Sequence, residues 1–170
     1  NRGGDGWARD DSRIEILKSI SGYVKDNYPN AYVILEHFAD NSEEKELAAH
    51  GMMLWGNLNY SYNEAAMGYN GWDNGKVKSD FSWGIYQNRD WEKPRLVTYM
   101  ESHDEERIMF KNIQYGNGAG DYQIKDTVTA LNRVKLAASF FLTIPGPKMV
   151  WQFGELGYDY YIDYNGRTGE

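Results

Sequence analysis

Four short apolar runs recur along the chain, and each stops in polar residues. They read "AYVILEHF", "MMLWGNLNY", "RLVTYM" and "KMVWQF". The first is rich in β-branched and aromatic residues and has no polar alternation, which predicts a strand buried on both faces, as in a parallel sheet. Helical stretches lie between the runs. "SRIEILKSISGYVKDNY" sets Ile16, Leu17, Ile20, Tyr23 and Val24 at helical spacing, with Asp10, Asp11 or Ser12 as cap and Pro29-Asn30 as break. "NSEEKELAAHG" predicts a short helix capped by Asn41 or Ser42 and stopped by Gly51. "SDFSWGIYQNRDW" predicts a helix begun by Ser79 or Asp80. "YQIKDTVTALNRVKLAASFFLTIPG" predicts the longest helix, with Ile124, Val128, Leu131, Val134 and Leu136 facing inward and Pro145 ending it. "GYNGWDNGKVKSD" and "KNIQYGNGAGD" read as loops. The alternation predicts an α/β fold of βα units around a parallel sheet.

The polar ends of the four runs are Glu36-His37, then Asn57 and Asn59, then Glu101, His103 and Asp104, then Gln152 and Glu155. Parallel βα architectures bind ligands at the carboxyl ends of their strands. A carboxylate ending a buried strand is costly unless it is paired or functional. Four strand ends loaded in the same way favour a shared site over four separate ion pairs. His37 and His50 read as structural, His50 because it lies near a helix end, where a cation is favoured. His103 and Asp104 are neighbours, and neighbours on a strand point to opposite faces, so both serve one site only if the strand ends there.

Composition removes several function classes. The 170 residues suit one domain, 1–170, able to bury a sizeable core. The net charge of −7 is spread out with no basic block, which argues against a nucleic-acid partner. No apolar run approaches the ~20 residues needed to span a bilayer, so no membrane partner is expected. Cysteine is absent, which excludes disulfides and thiolate metal sites and leaves the compartment open. Aromatic residues make up 15% of the chain, with six Trp and fourteen Tyr, a supply that suits sugar-stacking clefts as well as a core. The opening "NRGGDGWARDD" and the closing "DYNGRTGE" both read as loop, as in the middle of a longer chain.

Two chemistries fit the strand ends. One is metal binding by His103, Asp104, Glu105 or Glu106, although their spacing matches no standard motif. The other is glycoside hydrolysis, in which one carboxylic acid protonates the leaving oxygen and a second carboxylate attacks or activates water. Glu36 suits the proton donor, since burial at an apolar strand end raises a carboxyl pKa.

"VILEHFAD", "TYMESHDEER" and "LTIPGPKMVWQFGELGYD", taken in order, resemble the α-amylase family of glycoside hydrolases. "ESHDEER" resembles that family's seventh-strand motif, "ILEHFAD" its fifth-strand motif, and "IPGPKMVWQFGELG" the stretch from the seventh helix to the eighth strand. The resemblance covers nearly the whole chain. It implies the C-terminal half of a (β/α)8 TIM barrel, strands five to eight, and retaining cleavage of α-glucans. It makes Glu36 the acid/base and Asp104 the second carboxylate, which holds substrate hydroxyls and distorts the sugar. His103 would hydrogen-bond the sugar, and Asn57, Asn59, Tyr60 and Trp151 would wall the cleft. The family's nucleophile is an aspartate ending the fourth strand with an Arg two residues before it. Arg9-Asp10-Asp11 does not match, so the resemblance places the nucleophile upstream of Asn1 and leaves this segment inactive alone. The family's calcium-carrying domain would also lie upstream, so no metal or other cofactor is expected here.

A related transglycosylase or branching enzyme would share the fold and the acid/base. A non-catalytic α-glucan-binding protein and a metallohydrolase are the other readings. The expected partner is an α-glucan oligosaccharide or polysaccharide. Half a barrel would also leave sheet edges and interior side chains uncovered, which predicts self-association.

Overall fold

The computed structural model describes residues 5–169. Asn1–Gly4 and Glu170, the outermost residues of the two loop-like ends, lie outside the described residues. In chain order the elements are α1 (Asp11–Asn27), β1 (Ile34–Leu35), α2 (Asn41–His50), β2 (Met53–Asn57), α3 (Asn59–Met67), β3 (Trp72–Asp73), β4 (Lys76–Val77), β5 (Leu96–Tyr99), α4 (Ile108–Tyr115), β6 (Gly118–Ala119), β7 (Tyr122–Gln123), α5 (Thr127–Thr143) and β8 (Lys148–Met149). The fold is α/β, with a four-stranded parallel sheet in the order β1-β2-β5-β8. The chain divides into two compact units. One is the chain through Gly56 with Ile85–Val97 and Pro145–Pro147. The other is Asn57–Gly84, Thr98–Ile144 and the chain from Lys148 onward.

In the first unit, the Asp10 carboxylate caps α1 by accepting from the Ser12 and Arg13 amides. Such a cap is worth about 0.5–2 kcal/mol. Asp40 caps α2, ahead of the expected Asn41 or Ser42, and Gly51 ends it at φ 112°, where a side chain would be strained. Ile14, Leu47, Ala48, Met52, Leu54, Trp91 and Leu96 form the core, and Leu17, Val33, Leu35 and Tyr86 pack against it. Each fully buried aliphatic side chain contributes about 1.5–3 kcal/mol. The apolar spacing of α1 is real, but Ile16, Ile20 and Tyr23 are exposed while Ile14 and Ser21 are buried. The helix carries two apolar stripes, and only the one holding Ile14 and Leu17 meets this core. β1 is shorter than the expected strand and is not buried on both faces: Ile34 is 50% exposed. Among the described residues it is an edge strand, with a sheet neighbour on one side only.

All four residues of β5 are buried, and Thr98 and Tyr99 of them belong to the second unit. Leu58, Tyr62, Ala66, Ile108, Ala137 and Phe141, from the β2–α3 junction, α3, α4 and α5, form the core. Tyr62 stacks on Phe81 at 4.3 Å between centroids and meets Phe141 edge-on at 5.9 Å. Ile144 closes α5 before Pro145, as expected, but the helix starts only at Thr127, capped by Asp126, five residues after the expected Tyr122. Its inward face differs from the sequence reading. Val128 is 67% and Leu136 46% exposed, and the small Ala130 and Ala137, with Phe141, do the packing.

Four further segments differ from the sequence reading. The expected helix from Ser79 or Asp80 is two 3-10 turns, Ser82–Gly84 and Tyr86–Arg89. A Cβ on Gly84 would come within 2.6 Å of Leu58 Cδ1, and Ile85 is extended, so no single α-helix runs through. The loop "GYNGWDNGKVKSD" contains the β3–β4 hairpin, with Asn74 and Gly75 both at positive φ. "KNIQYGNGAGD" contains the end of α4 and the β6–β7 hairpin. "KMVWQF" forms strand only at Lys148–Met149.

Candidate functional site

The loop leaving β5 is stapled at both ends. Glu101, buried, accepts the Ile108 amide at 2.8 Å and so caps α4. Its other oxygen lies 3.4 Å from Arg107 Nη1. Arg107, also buried, donates from the same nitrogen to the Gln152 carbonyl at 2.8 Å, and its guanidinium lies 5.1 Å from the Tyr158 ring centroid. Burial pushes the Glu101 carboxyl up, against the Ile108 amide and the Arg107 charge. Glu106 accepts the amides of Arg107 and Ile162 at 2.9 and 3.0 Å. These two glutamates hold backbone.

Between the staples the loop presents its polar groups. Ser102 Oγ accepts the Asp104 amide at 3.2 Å and donates to Glu105. Glu105 also accepts from the Tyr99 hydroxyl at 3.2 Å and from the Asn57 amide. His103 and Asp104 stand exposed, with Nε2 3.4 Å from Oδ1. The His103 ring lies 6.0 Å from the Trp151 ring, tilted by 47°. An imidazole and a carboxylate thus meet water on a loop that cannot readily drift, with the half-buried Trp151 indole, from the segment after β8, beside them.

Asn57, at the end of β2, is exposed, and its Oδ1 accepts the Asn59 amide at 2.9 Å. Asn59 is buried at 8% exposure, and its side-chain amide donates to the carbonyls of Met100 at 2.7 Å and Glu106 at 3.0 Å. It therefore supports the floor beneath the β5 loop. Tyr60 is 55% exposed, with its hydroxyl 3.3 Å from Asp73. An open cleft of about 280 Å³ is lined by Asn57, Leu58, Asn59, Tyr60, Ser61 and Glu105. A second, mostly apolar cavity of about 200 Å³ lies among Met100, Glu101, Ile108, Phe141, Met149 and Trp151.

In the first unit Glu36 follows the carboxyl end of β1 and is exposed, where the sequence reading expected it buried. The next residue is tied down: His37 Nε2 lies 2.8 Å from Glu43 Oε1. Glu43 is fully buried and also receives Arg13 at 2.7 and 2.8 Å and the Asp10 amide at 2.8 Å. Burial alone would raise its carboxyl, but the hydrogen bonds from Arg13, Asp10 and His37 outweigh that and hold it below the ordinary range. Glu44, beside it, is buried against Arg89, with the Ala39 amide at 3.0 Å. Here burial prevails and the carboxyl is pushed up, while burial pushes Arg89 down. His37 thus has the structural role read from the sequence, and His50 sits in the last turn of α2.

Of the metal ligands considered from sequence, Glu105 and Glu106 already accept from three donors and two, which draws them into the loop's own framework. The organised state of Glu105 escaped the sequence reading, although Ser102 three residues before it is a spacing at which a hydroxyl and a carboxylate meet locally. No family model matches the chain, and no curated protein matches it.

Proposed function

We propose that this chain is the second half of a (β/α)8 barrel and belongs to a retaining hydrolase of α-glucans. The observation that carries the reading is the His103–Asp104 pair, exposed beside Trp151 on a stapled loop at the carboxyl end of a fully buried strand. An exposed pair on a rigid support is arranged to meet a ligand. The parallel sheet with helices following its strands, and the three motifs that resemble the α-amylase family, support the barrel assignment.

On this reading Glu36 protonates the departing glycosidic oxygen and then, as a carboxylate, takes a proton from the attacking water. Asp104 accepts hydrogen bonds from sugar hydroxyls, and these strengthen as the ring flattens toward the oxocarbenium-like transition state. His103 hydrogen-bonds the same ring, and Trp151 offers a face for the sugar's C–H groups. The nucleophilic carboxylate comes from a strand outside this segment, so the segment alone does not turn over glucan. Transfer to a sugar acceptor would use the same groups, and analysis of the products separates transfer from hydrolysis.

Glu36→Gln in the full-length protein tests the assignment, because the amide keeps the shape and loses the proton. Turnover of a natural glucan should fall by about 10²–10⁴-fold with glucan binding retained. A variant within a few-fold of wild type rejects Glu36 as the acid/base.

A further inference from the structure

Four asparagines precede a glycine: Asn70, Asn74, Asn117 and Asn165. That dipeptide is open to loss of the side-chain amide, because glycine has no Cβ to shield its nitrogen or restrict its backbone. The nitrogen attacks the asparagine's side-chain carbonyl carbon, a five-membered succinimide closes, and ammonia leaves. All four asparagines are exposed, so access to water does not separate them. The backbone conformation that each one holds does.

Closing the ring brings Cβ and the glycine nitrogen to the same side of the Cα–C bond. For an L-residue this sets ψ at about −120°, the value at the first central position of a type II′ turn, where φ is about +60°. With φ negative, such a ψ lies outside the main allowed regions. Of the four asparagines only Asn74 has positive φ, at 47°, and Gly75 follows at 79°. Two positive values make this a type I′ turn, and it closes the β3–β4 hairpin, in which Asp73 pairs with Lys76. A type I′ turn becomes type II′ by flipping the one peptide between its central residues, and both types fit the same two-residue hairpin. Asn74 therefore reaches the cyclising geometry without the hairpin opening, and a Cβ on Gly75 would meet nothing within 4 Å. The Asn117 side chain instead accepts the Gly118 amide at 2.8 Å, with the Gln123 side chain against Gly118. The Asn165 side chain accepts the Arg167 amide at 3.0 Å, and its carbonyl takes the Thr168 and Gly169 amides.

We infer that Asn74 is a site of spontaneous modification, at which the hairpin turn converts asparagine to aspartate and isoaspartate. The Gly75 nitrogen gives its proton to water and bonds to Cγ of Asn74. The Cγ–Nδ2 bond breaks, and Nδ2 takes a proton and leaves as ammonia. Water then adds to one ring carbonyl and opens it, at Cγ to aspartate or at the main-chain carbon to isoaspartate. Water is the only co-reactant, and nothing is oxidised or reduced. Either product adds a negative charge next to Asp73. Isoaspartate also routes the main chain through Cβ, which lengthens a turn whose two-residue strands are marginal alone.

Ageing the folded 170-residue chain at neutral pH and mapping its chymotryptic peptides by mass spectrometry follows each site, since cleavage after Trp72 separates Asn70 from Asn74. Enzymatic methylation of isoaspartate identifies the second product. Asn74 should convert about tenfold faster than each of the other three, the rate equivalent of one sparsely populated backbone conformation. In urea the four rates should converge, because the dipeptide is the same and the fold no longer selects among them. Asn74→Gly keeps a residue suited to positive φ, so it should leave the thermal melt unchanged and remove most of the isoaspartate. Conversion of Asn70, Asn117 or Asn165 as fast as Asn74 in the folded chain overturns the inference. So does an Asn74 that stays intact while the chain in urea converts, or isoaspartate at the wild-type level in Asn74→Gly.

Discussion

The segments that follow β1 and β5 both leave parallel strands of one sheet, and both carry a histidine beside an acidic residue. They use the pair in opposite ways. After β1 the histidine is absorbed: His37 sits against the buried Glu43, which Arg13 and the Asp10 amide also hold. After β5 the histidine is presented: His103 and Asp104 are exposed, and the buried charges, Glu101 and Arg107, lie on either side of them in sequence and fix the loop. Burying an ionised group is expensive, so buried charges occur where partners surround them. An exposed charge saves nothing by being held in place, so a rigid loop that keeps one in water points to a ligand. Residue type does not separate the two histidines; what each one touches does.

The strongest break of this comparison is at the buried pairs. Glu44 is nearly inaccessible and faces Arg89. Glu44→Ala takes the buried carboxylate away from that guanidinium and should cost about 3–5 kcal/mol in urea or thermal unfolding. Both members of the pair are pushed toward their neutral forms by burial, a sign that desolvation outweighs attraction. Replacing both at once, Glu44→Met with Arg89→Met, should therefore cost far less than the single change, or even stabilise. A double variant as damaged as Glu44→Ala would show that the ion pair is itself net stabilising.

Acid titration sharpens the same contrast at lower cost. Glu43 is held below the ordinary glutamate value of 4.5, so its contribution is fully present above pH 4.5 and is lost as pH falls through its folded value. Glu44 and Glu101 are pushed above 4.5, so each opposes folding while ionised, and stability rises as pH falls through their folded values toward 4.5. Stability followed from pH 7 downward should rise slightly and then drop below 4.5. Glu43→Gln should flatten the lower limb and leave the upper one. If that variant loses stability on acidification as wild type does, Glu43 is not the group responsible.

Sequence made one half of this comparison legible. The apolar run of β5, the cap at Asp10, the stop at Gly51 and the polar strand ends are local signals, and the structure carries each of them. The parallel sheet followed from the alternation of runs and helices. What escaped depends on partners far along the chain. Helix α4 was invisible because its first residue has no Ser, Thr, Asp or Asn before it: its N-cap residue is Arg107, and the Ile108 amide is satisfied by Glu101, seven residues back. The state of Glu105 depends on Asn57, forty-eight residues away. The burial of Glu36 was inferred from an apolar run, but β1 is an edge strand and its end is exposed. The β3–β4 hairpin was legible and was missed: Asn-Gly between short β-prone pairs is a strong short-range hairpin signal.

The smallest predicted effect separates the two histidines directly. His37→Ala removes one of the groups hydrogen-bonded to a fully buried carboxylate and leaves the Arg13 and Asp10 bonds in place. A net hydrogen bond is worth about 0.5–1.5 kcal/mol, so the loss should fall in that range on unfolding, with no direct effect on glucan binding. His103→Ala removes an exposed ring whose neighbours, Asp104 and Trp151, remain solvated. Its effect on unfolding should stay within about 0.5 kcal/mol, the range of ordinary surface changes. On the proposed reading the same variant should weaken glucan binding or turnover by about 1–3 kcal/mol, because there the hydrogen bond it loses is one to the sugar. The two variants should therefore exchange rank when the readout changes from unfolding to glucan. If His103→Ala proves the more destabilising of the two and leaves glucan untouched, the β5 loop is framework like its counterpart after β1, and the carboxylate beside it loses its claim to a substrate.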